Sequence, residues 1–382
     1  MKTTVTKLLA TVAATSTIFG MSTLPAFAAE GKSASNGNSV NISDVNATAE
    51  TRALFDKLKN SGKGDLRFGQ QHTTDENISS SASQGDVYEM TGKYPAVFGW
   101  DAGLALRGAE KPGSGADKNA NAKALAQNIT DADSKGAIVT LSAHWYNPGT
   151  GKDFNDTTAV ASELLPGGKY SDTFNKELDA IAATAQQAKR SDGTLIPIIF
   201  RPLHENNGSW FWWGEKLCTP EEYKALWHMT VDTLQAKGVD NALYAYSPGT
   251  EPKDTTEYLK KYPGDELIDV IGFDTYQFDR DAYLAGMDRA LSIIDSVGKA
   301  HNKVIAVTET GYEGIPDAKW WTGTLLPALE KYPLAYVLVW RNAREKVTHY
   351  YAPYPGQTSA EDFVEFYNNP KTLFAADVNL YQ

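Results

Sequence analysis

Eight times along the chain a short apolar run gives way to a polar or aromatic tail, with helix-like sequence separating most of the runs. The runs occupy residues 66–69, 96–99, 137–141, 195–200, 242–246, 267–273, 304–307 and 335–339. Runs this short, apolar and rich in β-branched residues read as strands buried on both faces, as parallel strands are. The spacing predicts helices over about 116–134 and 171–190. A third helix has a marked start, with Thr219 as N-cap, Pro220 in the first position and Glu222 completing a capping box. Strand and helix alternating in this way specify a parallel sheet, and eight such strands close into a single (β/α)8 TIM barrel over residues 47–382. A doubly wound open sheet satisfies the same alternation. The closed form is favoured by where the unusual residues fall. His72, Trp100, Asp101, His144, Trp145, His204, Glu205, Asp274, Tyr276, Glu309, Trp340 and Arg341 all follow the apolar runs, and a ring gathers those C-terminal ends into one mouth.

The densest of these ends is residues 200–214, where a buried run passes straight into Arg, His and Glu and then into a loop carrying Trp210, Trp212 and Trp213. Ionisable groups at the end of a buried strand are costly unless paired or used. Aromatic faces beside a carboxyl suit a sugar, whose C–H faces stack on indole while its hydroxyls seek charged partners. Glu205 and Glu309 end the fourth and seventh runs, and strands three apart in a ring of eight face each other across the mouth. Two carboxyls flanking one bond are what glycoside hydrolysis requires. A single Glu at a strand end is more often a salt-bridge partner; two such residues, each set among aromatics, favour catalysis. His204 on its own reads as a satisfied hydrogen-bonding residue. Trp210 is the expected sugar platform, and Trp212 and Trp213 stay open between platform and core.

The rest of the composition narrows the partners. The chain has 382 residues, 22% charged and 42% hydrophobic, with a formal net charge of −11. That balance argues against nucleic acid or an anionic membrane and fits a neutral substrate. Lys2 and Lys7, an apolar stretch over 8–24 and Ala26-Phe27-Ala28 form a signal peptide over residues 1–28, so cleavage after Ala28 and export to the extracellular medium are expected. Residues 29–46 read as a flexible leader. Cys218 is the only cysteine, which rules out an internal disulfide. A metal-dependent hydrolase is a competing reading because His72, His144 and His204 all end runs, but none of the six His forms a His-x-His pair, and neither metal nor cofactor is expected. The chain reads as a secreted monomer with no module or anchor after the barrel.

Residues 201–214, Arg-Pro-Leu-His-Glu-Asn-Asn-Gly-Ser-Trp-Phe-Trp-Trp-Gly, resemble the acid/base signature of glycoside hydrolase family 26, whose commonest members are endo-β-1,4-mannanases. The resemblance continues in Gly272-Phe273-Asp274-Thr275-Tyr276, Thr308-Glu309-Thr310-Gly311 and Trp340-Arg341-Asn342, and so covers the chain from about residue 50 onward. It implies Glu205 as general acid/base and Glu309 as nucleophile of a retaining double displacement on β-mannan or manno-oligosaccharides. It further implies Tyr276 on the nucleophile, His204 against the bound sugar, and Trp340 as the floor of the cleaved sugar's subsite. His144, Trp145, Trp210 and Arg341 would lie nearby, with Asp101 and Asp274 as hydroxyl ligands. The alternatives are β-1,3-xylan or mixed-linkage glucan as substrate within the same family, and a non-catalytic glycan-binding barrel. The loop over 146–170 is expected to shape the distal subsites.

Overall fold

The computed structural model describes residues 42–79, 84–346 and 348–377. The expected signal peptide at 1–28, the leader up to residue 41 and the chain after residue 377 lie outside the described residues.

The eight expected runs are strands: β1 (Leu66–Gln71), β2 (Val97–Asp101), β3 (Ile138–Ser142), β4 (Ile198–Arg201), β5 (Ala242–Tyr246), β6 (Val270–Tyr276), β7 (Val304–Gly311) and β8 (Tyr336–Val339). Each pairs in parallel with the next, and β1 pairs with both β2 and β8, so the sheet closes. An open doubly wound sheet would leave two edges, and closure excludes it. A short β9 (Thr372–Leu373) adds to β1 at Leu66 and Arg67.

The helices Lys118–Ser134, Ser171–Gln187 and Pro220–Ala236 lie where the spacing puts them. Thr219 starts the third of these. Its hydroxyl accepts from the Glu222 N–H at 3.2 Å, and the Glu222 carboxylate accepts from the Thr219 N–H at 2.9 Å. The alternation of strand side chains divides the interior in two. Val97, Ile138, Ile199, Leu243, Val270, Val304 and Leu338 fill the barrel, and Leu54, Phe55 and Leu58 of the helix Ala49–Lys59 pack against them. The intervening Phe98, Val139, Phe200, Tyr244, Ile271 and Val307 face the helices instead. Each fully buried plug residue contributes ~1.5–3 kcal/mol relative to exposure. The plug is tied further at Ser43, whose N–H and hydroxyl both donate to the Asp269 carboxylate at 2.7 Å. The last residues of the 29–46 leader are thus bonded to the barrel.

Candidate active site

The same alternation aims the site. Asp101, Ser142, Arg201 and Asp274 continue the inward-facing series of β2, β3, β4 and β6 and emerge at the C-terminal mouth. On β7 the inward series runs Val304, Ala306, Thr308, which would turn Glu309 toward the helices. A register shift intervenes: Phe273 pairs with Val307, but Asp274 pairs with Glu309. A bulge at Thr308 advances the strand by one residue and brings Glu309 inward as well, as bulges beside active sites do.

Arg201 stands between the acids. Its Nη1 donates to Asp274 Oδ2 at 2.6 Å, and its Nη2 pairs with Glu309 Oε1. The other Glu309 oxygen accepts from the Tyr276 hydroxyl at 2.7 Å. Glu309 thus has a guanidinium on one oxygen and an O–H on the other, and both bonds fix its orientation. Asp274 is fixed by the Thr308 hydroxyl at 2.7 Å as well. His204, Asp274 and Glu309 carry donor atoms within 4.8 Å of one another. Two of these three already bond the Arg201 guanidinium, which supplies the cation there.

Glu205 is presented differently, from a loop whose backbone is strained. Leu203 and Glu205 both sit in the left-handed region, at φ 52° and 51°, a conformation that costs a non-glycine residue ~1–3 kcal/mol and collects at functional sites. The Glu205 N–H is pinned to the Ser247 carbonyl at 2.8 Å. Trp210 curls back so that its indole N–H donates to Glu205 Oε2 at 2.6 Å. Gly208 makes room for the ring, since a Cβ there would lie 2.4 Å from it. Burial, and behind it the charge of Glu309, push the Glu205 carboxyl up to about 7, against the pull of the Trp210 N–H, His144 and Arg201. One carboxyl is therefore poised as an acid while its neighbour is clamped in place by Arg201 and Tyr276.

Behind the pair stands a chain of imidazoles. Asp101 Oδ2 lies 2.5 Å from His144 Nδ1, and His144 Nε2 lies 3.1 Å from His204 Nε2. Burial disfavours a charge on His144, but Asp101 outweighs it and raises the imidazole above its ordinary value. Burial, then Arg201 and His144, hold His204 well below its own. These opposed directions favour His144 as the donor to His204, with His144 Nδ1 turned to Asp101. Gly103 permits it by packing against the His144 backbone, where a Cβ would come within 2.7 Å. Glu205, Glu309, His144, Tyr276, Trp340 and Arg341 line one cavity of about 370 Å³, together with Leu104, Glu110, Phe154, His349 and Tyr351. A half-open cleft with two differentiated carboxyls and aromatic walls is equipped for acid-assisted displacement at a sugar.

The profile of Glycosyl hydrolase family 26 matches residues 43–347. The chain belongs to this family. It is 66% identical, over 100% of its own length, to a protein of Bifidobacterium adolescentis named mannan endo-1,4-beta-mannosidase, of which it spans 40%. A GH26 beta-mannanase from Bacteroides ovatus superposes with a TM-score of 0.83 at 46% identity, covering 88% of this chain and 98% of that one. A modular endo-beta-1,4-mannanase from Cellulomonas fimi gives 0.84 at 39%, covering 90% and 79%.

Within this family 26 barrel the expected site residues fall into two groups. Glu205, Glu309, His144, Tyr276, Trp340 and Arg341 share the cavity, and Trp210, 42% exposed, touches Glu205. The others stand behind. Asp101 and Asp274 are buried and spend their oxygens on His144 and Arg201, so neither is the free hydroxyl ligand expected of it. His204 is buried behind His144 and does not line the cavity. Trp145 is a correction: unlike its neighbour His144 it lies outside the cavity, packing against Phe174 and Phe200 in the helix-side core. Trp212 and Trp213 also resolve as core, their N–H groups donating to the carbonyls of Trp145 (2.9 Å) and His204 (2.6 Å). Sequence reasoning did not name Leu104, Glu110, Phe154, His349 and Tyr351. Phe154 lies in the loop over 146–170 that was expected to shape the distal subsites, and the aromatic cluster at 349–351, shortly after Trp340-Arg341-Asn342, offered a second signal.

Proposed function

We propose that the chain is the catalytic part of an endo-β-1,4-mannanase that cleaves mannan, galactomannan and glucomannan by retaining double displacement. The observation that carries the reading is the unequal pair on one cavity, Glu205 lifted to about 7 and Glu309 bonded to Arg201 and Tyr276. The mannanases among its relatives supply the substrate class. Protonated Glu205 donates to the glycosidic oxygen while a Glu309 oxygen attacks the anomeric carbon, and the leaving sugar departs with the proton. Forming the ester removes the Glu309 charge that helped to hold Glu205 protonated. Glu205 then takes a proton from water, which attacks the same carbon and frees Glu309. Trp340 and Trp210 offer faces for the sugars on the two sides of the bond. Export belongs to the same proposal and rests on Lys2, Lys7, the apolar stretch and Ala26-Phe27-Ala28. Action as a monomer, without metal or cofactor, completes it.

Glu309→Ala is expected to abolish turnover, and added azide should then yield a mannosyl azide of inverted configuration. Substantial residual activity in Glu309→Ala would defeat the assignment. Products from mannohexaose, galactomannan, β-1,3-xylan and barley glucan, with the anomeric configuration followed in real time, test the substrate. Preference for xylan or glucan overturns the mannan reading, and absence of reducing-sugar release from all four leaves only a binding barrel.

A further inference from the structure

His72 ends β1 with the other strand-end residues, yet takes no part in the chemistry above. It sits in the left-handed backbone region at φ 51°. Its N–H donates to the Gly99 carbonyl at 2.8 Å, and its carbonyl accepts from the Glu76 N–H at 3.0 Å. The ring is wholly buried. Nδ1 lies 3.2 Å from both oxygens of the Asp75 carboxylate, and Nε2 lies 3.6 Å from Glu110 Oε1, an ion contact rather than a hydrogen bond. A neutral imidazole would turn a lone pair toward one of those carboxylates, whereas the doubly protonated ring offers an N–H to each. Burial opposes the charge, but Asp75, Glu110 and Glu76 outweigh it and raise the group to about 9. Asp75 is fixed in turn by the Trp100 indole N–H at 3.2 Å, with Asn128 at 3.5 Å and the Lys111 ammonium beside it.

On the other side, Glu110 Oε1 lies 2.6 Å from Arg341 Nε, and Arg341 Nη1 holds Glu76 at 2.6 Å and Glu345 at 2.8 Å. The string alternates in sign from Asp75 through His72, Glu110 and Arg341 to Glu76. Its Glu110–Arg341 link forms part of the cavity wall that also holds Glu205 and Glu309. Burial pushes the Glu110 carboxyl up, and the first charge drawing it back is His72, ahead of Arg341. Without a cation at position 72, Glu110 would face the charges of Asp101 and Glu76 with one counter-charge fewer, and like charges in one buried cluster drive protonation or separation.

We propose that His72 is a positioning residue whose imidazolium keeps Glu110 ionised and turned onto Arg341, setting that pair as a fixed polar wall for a bound sugar next to the cleaved one. The inference rests on the cavity being a mannan site, and it places the effect of His72 on binding rather than on the chemical step. The test compares His72→Gln, Glu110→Gln and the double variant on mannohexaose. His72→Gln should raise KM about tenfold, the size expected when one hydrogen bond from the sugar to a charged group of that wall is loosened, with kcat within about threefold. In the Glu110→Gln background it should add nothing further. A fall in kcat at unchanged KM, or effects that simply add, overturns the proposal. The unaltered protein gives a second readout that needs no variant to fold and no substrate. ¹⁵N NMR of its imidazoles should find His72 doubly protonated from about pH 5 to about pH 8, and a neutral ring in that window also overturns it. A charged ring in a protein that binds no mannohexaose would sink the mannan reading instead and leave the charge assignment standing.

Discussion

Trp210 does two things that one substitution separates. Trp210→Phe keeps an aromatic face for a sugar and removes the N–H that donates to Glu205 Oε2 at 2.6 Å. That bond favours the carboxylate over the acid, so its loss raises the Glu205 pKa beyond about 7. A hydrogen bond to a charged group is worth ~1.5–3 kcal/mol. Trp210 is 42% exposed, so water replaces part of the bond in the variant, and ~1 kcal/mol is left after that discount. One pH unit corresponds to ~1.4 kcal/mol, which moves the alkaline limb of kcat/KM up by somewhat less than one unit. The direction is distinctive, because on the proposed mechanism the variant stays active at higher pH than the parent. On the acid side of the limb the rate falls a few-fold, since a weaker acid donates less readily. The assay is the pH profile of kcat/KM on mannohexaose, with Trp210→Ala as the companion that loses the stacking face as well. Both variants should share the limb shift, and only the alanine should lose strongly in KM. A limb that stays put or moves to lower pH refutes the assignment of the indole N–H to the acid.

Three further outcomes follow from the same geometry. Tyr276→Phe leaves Glu309 with Arg201 alone, and losing a hydrogen bond to a charged group should lower kcat by ~10–100-fold with little change in KM, read from steady-state kinetics. Arg201→Met leaves Asp274 and Glu309 buried without their cation and should cost ~3–5 kcal/mol in urea unfolding; a loss below about 1 kcal/mol would show that the guanidinium does not hold the two acids in the folded protein. Asp101 is buried, but His144 and two backbone N–H groups outweigh burial and hold it at about 2. Its folded value lies below its unfolded ~3.9, so it contributes ~2–3 kcal/mol that is whole above about pH 4 and is lost as pH falls through about 2. Asp101→Asn should therefore melt lower than the parent at pH 7, and the gap between their melting temperatures should close on acidification.

The strands were legible because a parallel strand buried on both faces has to be a short apolar run, and the barrel because its active-site residues must crowd one end of those runs. The capping box at Thr219 and Glu222 was legible for a local reason, as both partners lie within four residues. Glu110, Phe154 and His349 were not, because each comes from a loop and meets the site only through the closed ring. Nothing in the sequence around Glu110 reveals that Arg341, more than two hundred residues away, will lie against it. The strand-end position of His72 was visible in the sequence, but its burial between two acids was not.

What sequence could not weigh was parity. Among residues at a strand's end, one in two faces the barrel axis, and beyond β3 the neighbours His144 and Trp145 end one in the cavity and the other in the core. Register normally settles it, yet at β7 the simple count gives the wrong answer: Thr308 takes the inward place, and only the bulge turns Glu309 back toward Arg201 and Tyr276. The bulge also leaves the Thr308 hydroxyl on Asp274, so one irregularity orients both acids that share the guanidinium. Glu205 escapes the alternation by a different route, through left-handed backbone at Leu203 and Glu205 beyond the end of β4. The two carboxyls meet because each departs from regular strand geometry, one by an extra residue and the other by a strained turn. A pattern of period two can locate such residues along the chain without deciding which way they face.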